Sequence, residues 1–210
     1  MEPFNPSEIN AFRFLDFEYR DGKAEFRYGL DDKYFFKEEL CFIDAPTQLS
    51  AERREAFQRC LRHLHIAIGI SYYKTAVPAR IEIEGEPLSK KTAAFFDHVF
   101  LNGLGEFAFR NDIDLTNRIK FPYEVSRRTE STKPIQLRRL SAVPVGGGKD
   151  SIVTIETLRA HSEEPIVLFS LGDFPAIERV SARTGIEHIL VKRKLDPQLI
   201  RLNAQGALNG

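Results

Sequence analysis

The sequence predicts an α+β amino-terminal domain, an antiparallel meander plus helices, followed by an α/β domain with a partial parallel sheet. Between residues 12 and 42, aromatic residues alternate with polar ones on both sides of Asp21-Gly22, which is typical of antiparallel hairpins. After residue 137, short apolar runs alternate with helical patterns, which is typical of βαβ units. We expect a first domain over 1–121, a linker over 122–136 and the α/β domain over 137–210.

The composition is that of an ordinary globular protein. Thirty basic and thirty acidic residues among 210 leave no global field to attract nucleic acid or an anionic membrane. The two cysteines, Cys41 and Cys60, lie far apart, so we expect buried thiols of a reducing compartment and no disulfide or zinc site. The sequence shows neither a signal-peptide pattern nor an apolar stretch of the roughly 20 residues that span a bilayer. We therefore expect a cytoplasmic protein.

The first domain is predicted to combine a meander with two long helices. Aromatic residues between 12 and 42 predict three antiparallel strands with one buried face. Ser50 is expected to cap a helix that runs to about residue 68, and Ser89 to cap a second one. Between the helices, residues 78–84 alternate again and predict a further strand.

Two stretches of this domain offer candidate ligand contacts. His63 and His65 are two residues apart on a helix and cannot ligate one metal together, so a hydrogen-bonded core position is favoured for His65, with catalysis as the alternative. In the segment 69–76, either the hydroxyls of Tyr72 and Tyr73 reach solvent at a helix end, or the segment contacts substrate and Lys74 pairs an anion. The sequence leaves both interpretations open.

The second long helix carries two glycines near its end. Gly103 and Gly105 each cost about 1 kcal/mol of helix stability relative to alanine, so we expect a close backbone approach there. Glu106 and Arg110 are four residues apart, which favours a surface ion pair; proton transfer by Glu106 is the alternative.

A stretch without periodicity follows this helix. Residues 121–136 are rich in serine, threonine and basic residues and contain two prolines. A solvated linker is the favoured interpretation, and a phosphate-facing flap is the alternative.

The chemical centre of the chain is predicted at three consecutive glycines, Gly146 to Gly148. An apolar run leads into them, and Lys149-Asp150-Ser151 opens a helical pattern. Glycines let backbone N–H groups turn toward an anion, and the helix N-terminus adds its positive dipole end. Neither the P-loop pattern nor the dinucleotide fingerprint fits, so this is another kind of phosphate loop.

The rest of the second domain predicts βαβαβ. Helices are expected over 150–161 and 174–183, and strands over 165–170 and 187–191. Ligands of such sheets bind at the carboxyl ends of the strands, where the glycine loop and Leu171-Gly172-Asp173 lie. Pro144 conflicts with a central strand, because it lacks the ladder donor, unless it is the last strand residue.

The glycine loop resembles the SGGxDS signature of the PP-loop ATP pyrophosphatases, which split ATP between its α and β phosphates. Residues 147–151 match this signature, whereas Gly146 stands in place of its serine. The resemblance implies a PP-loop type of α/β fold, which would make 137–210 an ATP-binding domain.

Several longer stretches resemble the MurL family of UDP-N-acetyl-α-D-muramoyl-L-alanyl-L-glutamate epimerases. They are residues 69–76, 103–111, 144–151 and 202–210. The resemblance spans nearly the whole chain. It implies ATP- and Mg²⁺-dependent inversion of the terminal L-glutamate of UDP-MurNAc-L-Ala-L-Glu, a peptidoglycan precursor, through a carboxyl adenylate, with release of AMP and pyrophosphate. Members of that family run well past residue 210, so we expect this chain to be an amino-terminal portion whose sheet is completed by a missing part or by an oligomer.

The resemblance assigns roles to particular residues. Lys149 and Asp150 would serve adenylation, with Asp150 also orienting Mg²⁺, and residues 1–121 would form a substrate domain. The nucleotide would contact Gly146, Gly147, Gly148, Lys149, Asp150, Ser151, Ser170, Leu171, Gly172 and Asp173. The substrate would contact Tyr72, Tyr73, Lys74, Arg110 and Asn111. His65, Lys74 and Glu106 are the candidates for proton transfer.

Two other functions compete with this one. A PP-loop amidotransferase or tRNA-modifying ligase would share adenylation, but the sequence lacks CxxC pairs, a glutaminase nucleophile motif and a basic charge. The other is a non-catalytic nucleotide-binding module.

Overall fold

The computed structural model describes residues 3–46, 48–125 and 135–208, whose strands form one mixed seven-stranded sheet. The strand order is β4-β1-β2-β3-β7-β6-β5. The strands are β1 (Ala11–Arg20), β2 (Lys23–Leu30), β3 (Tyr34–Phe42), β4 (Arg80–Ile83), β5 (Ser141–Pro144), β6 (Ile166–Leu171) and β7 (His188–Lys194). The helices are α1 (Ala51–Ile68), α2 (Ile70–Tyr73), α3 (Lys90–Gly103), α4 (Gly105–Arg110), α5 (Lys149–His161), α6 (Pro175–Thr184) and α7 (Pro197–Ala204), with a short 3₁₀ turn at Pro6–Glu8.

The antiparallel half confirms the predicted meander. Strands β1, β2 and β3 pair in sequence, and Asp21 and Gly22 both adopt positive φ in the first turn, as a tight hairpin requires. The predicted fourth strand is β4, which runs parallel to β1. Serine caps begin both long helices: the Ser50 hydroxyl accepts from the Arg53 N–H at 3.3 Å, and Ser89 accepts from Thr92 at 3.2 Å.

The parallel half confirms βαβαβ, because β5, β6 and β7 pair in parallel and α5 and α6 connect them. The expected central position of the first of these strands is wrong. Strand β5 lies at the sheet edge, and Pro144 is its last residue, so the missing N–H costs no pairing with an outer strand. The PP-loop type of this half stays a prediction.

Both halves share one sheet through the antiparallel pair β3–β7. The fully buried carboxylate of Glu38 on β3 accepts two hydrogen bonds from Arg193 on β7, at 2.6 and 3.2 Å. Arg193 also donates to the Ser71 hydroxyl at 3.0 Å, which ties α2 to the same junction. Most of the predicted linker, residues 126–134, lies outside the described residues.

The helices cover opposite faces of the two halves. In the antiparallel half, α1, α3 and α7 bury one face in a large core built on aromatic side chains such as Phe12, Phe26 and Tyr28. In the parallel half, Ile155 of α5 and Ile177 of α6 share a second, smaller core with Val143 and Leu168 of the strands. Strand register places this second core on the other face of the sheet.

The thiols differ from the expectation of burial. Cys41 is half-buried on β3, and Cys60 is exposed on α1; both are free. Cys60 directly precedes Leu61, which lies on the apolar side of α1. Helical periodicity alone therefore did not distinguish the exposed residue from the buried one. Among the described residues, no helix combines the length and hydrophobicity needed to cross a membrane.

Candidate functional site

The glycine loop joins the carboxyl end of β5 to the beginning of α5. Gly147 has a φ of +80°, and a Cβ placed on it would lie 2.5 Å from the Cβ of Ala176 in α6. Both the backbone conformation and the space therefore require glycine there. Nothing lies within 4 Å of a Cβ built on Gly146 or Gly148. The loop is pressed against α6 at one glycine and open at the other two.

The first turn of α5 is free to receive an anion. Gly148 is its N-cap and supplies no side-chain hydrogen bond, so the first N–H groups of the helix lack a capping acceptor. Lys149 and Asp150 are exposed and form no ion pair with other described residues. Ser151 is already engaged, because its hydroxyl accepts from the Gly146 N–H at 3.3 Å. Together with the dipole of a 13-residue helix, this geometry fits a phosphate.

The second predicted nucleotide contact is the turn after β6. The buried hydroxyl of Ser170 donates to the Gly172 carbonyl at 2.9 Å and lies 2.9 Å from His188 Nε2. Since the hydroxyl proton goes to Gly172, the His188 ring must donate to Ser170. Gly172 has a φ of +98°, and its N–H donates to the Val191 carbonyl. Sequence reasoning missed His188, which no local motif marks.

The two predicted nucleotide segments lie side by side. Asp173 ends the turn, α6 starts at Pro175, and Gly147 abuts Ala176 in the first turn of α6. Asp173 is exposed and 2.9 Å from Lys192, whose hydrogen bond lowers the pKa of the Asp173 carboxyl. The structure thus brings 146–151 and 170–173 to one edge of the parallel strands.

A magnesium ion fits this edge only in part. Within the described residues, no group of three or more histidine, cysteine or carboxylate side chains could hold a metal. Asp150 offers one exposed carboxylate. Mg²⁺ commonly takes one or two carboxylates together with substrate phosphates and water, so Asp150 suits an ion that arrives with a nucleotide.

Tyr72 and Tyr73 do not reach solvent, which overturns the interpretation of hydroxyls at a helix end. Both are fully buried. The Tyr73 hydroxyl donates to the Pro78 carbonyl at 3.2 Å, the Tyr72 hydroxyl accepts from the Asp196 N–H at 3.2 Å, and burial raises the pKa of both. A four-residue helix has too little periodicity to predict this burial. Lys74, the next residue, is half-buried.

His65 occupies the predicted core position. It is 4% exposed, and its Nε2 lies 3.0 Å from the Arg27 carbonyl. A carbonyl only accepts, so Nε2 carries the proton and Nδ1 does not. Burial lowers the pKa of His65 to about 4, so the ring is neutral at pH 7.

Glu106 and Arg110 form the predicted surface ion pair at 2.8 Å, with both side chains mostly exposed. The expected close approach at the neighbouring glycines is wrong. A Cβ on Gly103 would meet only Ile70 at 3.6 Å, and one on Gly105 would meet nothing within 4 Å. The helix instead breaks at Leu104, between α3 and α4. Asn111 donates to the Phe107 carbonyl at 2.8 Å, which ends α4.

A large groove lies away from the glycine loop. It encloses about 770 Å³ between β1, α1 and the β4–α3 connection, and His65 contributes to its wall. Strands β4 and β5 are the two edges of the sheet, so six strand spacings, roughly 29 Å, separate the groove from the loop. The loop is the candidate phosphate site because anion-binding geometry, and not cavity size, defines such a site.

Comparison with known proteins gives consistent matches. The family described as "MurL N-terminal domain" matches residues 3–210. A UDP-N-acetyl-alpha-D-muramoyl-L-alanyl-L-glutamate epimerase of Xanthomonas oryzae pv. oryzae is 37% identical over 213 residues, covering 100% of this chain and 47% of the relative. Proteins of the same name from Salinispora tropica and a Micromonospora strain are 37% and 35% identical, each covering 96% of this chain and 45% and 46% of the relative. The chain thus spans about half the length of these relatives. No solved structure matches it significantly.

Proposed function

The chain belongs to the MurL N-terminal domain family, and we propose that it supplies the nucleotide-binding half of an ATP-dependent epimerase. The proposed substrate is UDP-MurNAc-L-Ala-L-Glu, whose terminal L-glutamate is inverted to D-glutamate. The relatives that bear the name of this activity are about twice as long as this chain. The observation that carries the nucleotide assignment is the uncapped N-terminus of α5 behind the three glycines.

The chemistry explains why an epimerase would need ATP. Beside a free carboxylate, the α-proton of glutamate is very weakly acidic, because a carbanion next to a negative charge is electrostatically disfavoured. Transfer of AMP to the carboxylate releases pyrophosphate and removes that charge, so the α-proton becomes acidic. A base removes the proton, reprotonation on the other face inverts the centre, and hydrolysis releases AMP.

The residues of the glycine loop have distinct roles in this scheme. The N–H groups of Gly147 and Gly148 and of the first α5 turn hold the departing pyrophosphate, while the Gly146 N–H donates to the Ser151 hydroxyl. Lys149 neutralises the charge that develops on it. Asp150 would hold Mg²⁺, which would neutralise further phosphate charge when bound with the nucleotide. The Ser170–Asp173 turn contacts the adenosine.

The proton-transfer group is sought among His65, Lys74 and Glu106. His65 suits this role least, because its Nε2 is engaged by a main-chain carbonyl and its pKa of about 4 leaves it a weak base. Glu106 is mostly exposed in its ion pair with Arg110, and Lys74 is half-buried, so neither is enclosed in the core as His65 is.

Nucleotide binding by the 210-residue chain tests the loop assignment. We expect Lys149→Ala to weaken binding of ATP with Mg²⁺ about tenfold in isothermal titration, because a charge-assisted contact to phosphate is lost. Lys91→Ala is the matched control, since Lys91 is also an exposed lysine in the first turn of a helix. Equal affinity of the two variants would remove Lys149 from the site.

Turnover tests the reaction separately. The full-length Xanthomonas oryzae relative, incubated with ATP, Mg²⁺ and UDP-MurNAc-L-Ala-L-Glu, is expected to release AMP and to convert the bound glutamate to the D form, as chiral chromatography of the hydrolysed product measures. AMP formation that does not depend on the dipeptide substrate would contradict the epimerase assignment and leave the nucleotide site intact.

A further inference from the structure

Within the described residues, the parallel half of the sheet has one face that carries neither α5 nor α6. Cα partners in neighbouring strands point their side chains to the same face. Ala142 pairs with Val167, Pro144 and Ile189 both pair with Phe169, and Leu171 pairs with Val191. These residues therefore share a face that is opposite to Val143 and Leu168 of the small core. We call it the open strip: Ala142, Pro144, Val167, Phe169, Leu171 and Ile189.

The open strip is apolar and accessible. Leu171 is 50% exposed and Ile189 is 42% exposed. Ala142 and Pro144 are also exposed, and Phe169 is half-buried. Val167 is buried but belongs to neither core. A contiguous apolar surface of this kind marks a site of interaction.

The topology explains why the helices leave this strip bare. Strands β5, β6 and β7 follow one another in one direction across the sheet, and right-handed crossovers that step in one direction place their helices on one face. Both α5 and α6 accordingly bury residues in the small core. Parallel sheets occur almost only with both faces covered, so the strip needs a covering element.

The strip also continues an established core face. Val191, the partner of Leu171, points to the same face of the sheet as the strip and is buried in the large core with Leu199 and Leu202 of α7. Ala207 and Leu208 pack against the same large core, and the Leu208 N–H donates to the Thr75 carbonyl at 2.9 Å.

We propose that the open strip is the docking surface for the carboxy-terminal half found in the full-length relatives. The match is to an amino-terminal domain, and it covers 47%, 45% and 46% of three relatives, so a segment of similar size follows it there. That segment packs apolar side chains on the strip and completes the second covering of the parallel strands. This inference stands on strand register and relative length and does not depend on the proposed reaction.

Cysteine accessibility tests the docking surface with conservative changes. Ala142→Cys and Ile189→Cys place thiols on the strip, and Glu18→Cys places one on the charged opposite face, where Glu18 is 63% exposed. Each is made in this chain and at the aligned position of the full-length Xanthomonas oryzae relative. The proteins are treated with a maleimide in the absence of nucleotide, and labelling is followed by mass spectrometry of the peptides. The peptide masses distinguish the introduced thiols from the native cysteines.

The expected result is selective protection in the long protein. In this chain, we expect the two strip thiols to react at rates close to that of Glu18→Cys. In the full-length relative, we expect their reaction rates to be lower by at least about tenfold, because a covered thiol is inert. Equal rates in the full-length relative would overturn the proposal. So would protection that appears in this chain alone as its concentration rises, since a second copy would then be the occupant.

Discussion

At the scale of single residues, Gly147 is the position of the loop with the strongest requirement for glycine. Its φ of +80° and the position of Ala176, whose Cβ would lie 2.5 Å from a Cβ placed on Gly147, both exclude a side chain. We expect Gly147→Ala to lower the free energy of unfolding by about 2 kcal/mol, because the loop or α6 must shift. Urea denaturation measures this, with Gly146→Ala as the control in open space. Equal stability of the two variants would show that α6 shifts without a measurable cost in the free energy of unfolding.

His65 predicts a pH dependence of stability. Its pKa is lowered by burial from 6.5 to about 4, so between these values the unfolded chain binds a proton that the folded chain does not. The stabilisation is complete above pH 6.5 and is lost as the pH falls toward 4, by about 3 kcal/mol in all. His65→Gln keeps a donor for the Arg27 carbonyl and should flatten this part of the stability curve. His63→Gln, on the exposed side of α1, should leave the curve unchanged.

At the scale of elements, the junction between β3 and β7 depends on one buried pair. Glu38 is fully buried and receives two hydrogen bonds from Arg193, whose side chain is 30% exposed. Glu38→Gln leaves the guanidinium without its counter-charge, and we expect a loss of about 2 kcal/mol in the free energy of unfolding. Glu18→Gln, which removes a carboxylate from an exposed ion pair, should cost less than about 1 kcal/mol. Chemical denaturation with both variants distinguishes a junction contact from general loss of charge.

Local patterns predicted elements better than their places in the sheet. The alternation around Asp21-Gly22 and the serines at 50 and 89 specify hairpin and helix starts through contacts within a few residues, and the structure has both. The edge position of β5 depends on which strands pair across more than 100 residues, which no local pattern encodes. Tyr72 and Tyr73 show the same limit, because their burial comes from partners in other elements.

At the scale of the whole molecule, the candidate site was predictable where sequence neighbours form it. Residues 146–151 lie in one loop, so glycine conformation and a helix N-terminus suffice to predict a phosphate cradle. The support behind it was not predictable. Contacts such as Gly147 with Ala176, or His188 with Ser170, join different elements and appear only once the strands are paired.

The unequal cores predict unequal stability across the single sheet. Strand β2 is paired on both sides and its aromatic residues lie in the large core, whereas β5 is a four-residue edge strand over a core of six buried residues. Local opening follows the amount of buried apolar contact, so amides of β5 and β6 should exchange with deuterium orders of magnitude faster than those of β2. Mass spectrometry of peptides from 141–144, 166–171 and 23–30 measures this. Equal protection in all three would mean that the sheet opens only as one cooperative unit, with the β3–β7 junction strong enough to hold both halves together.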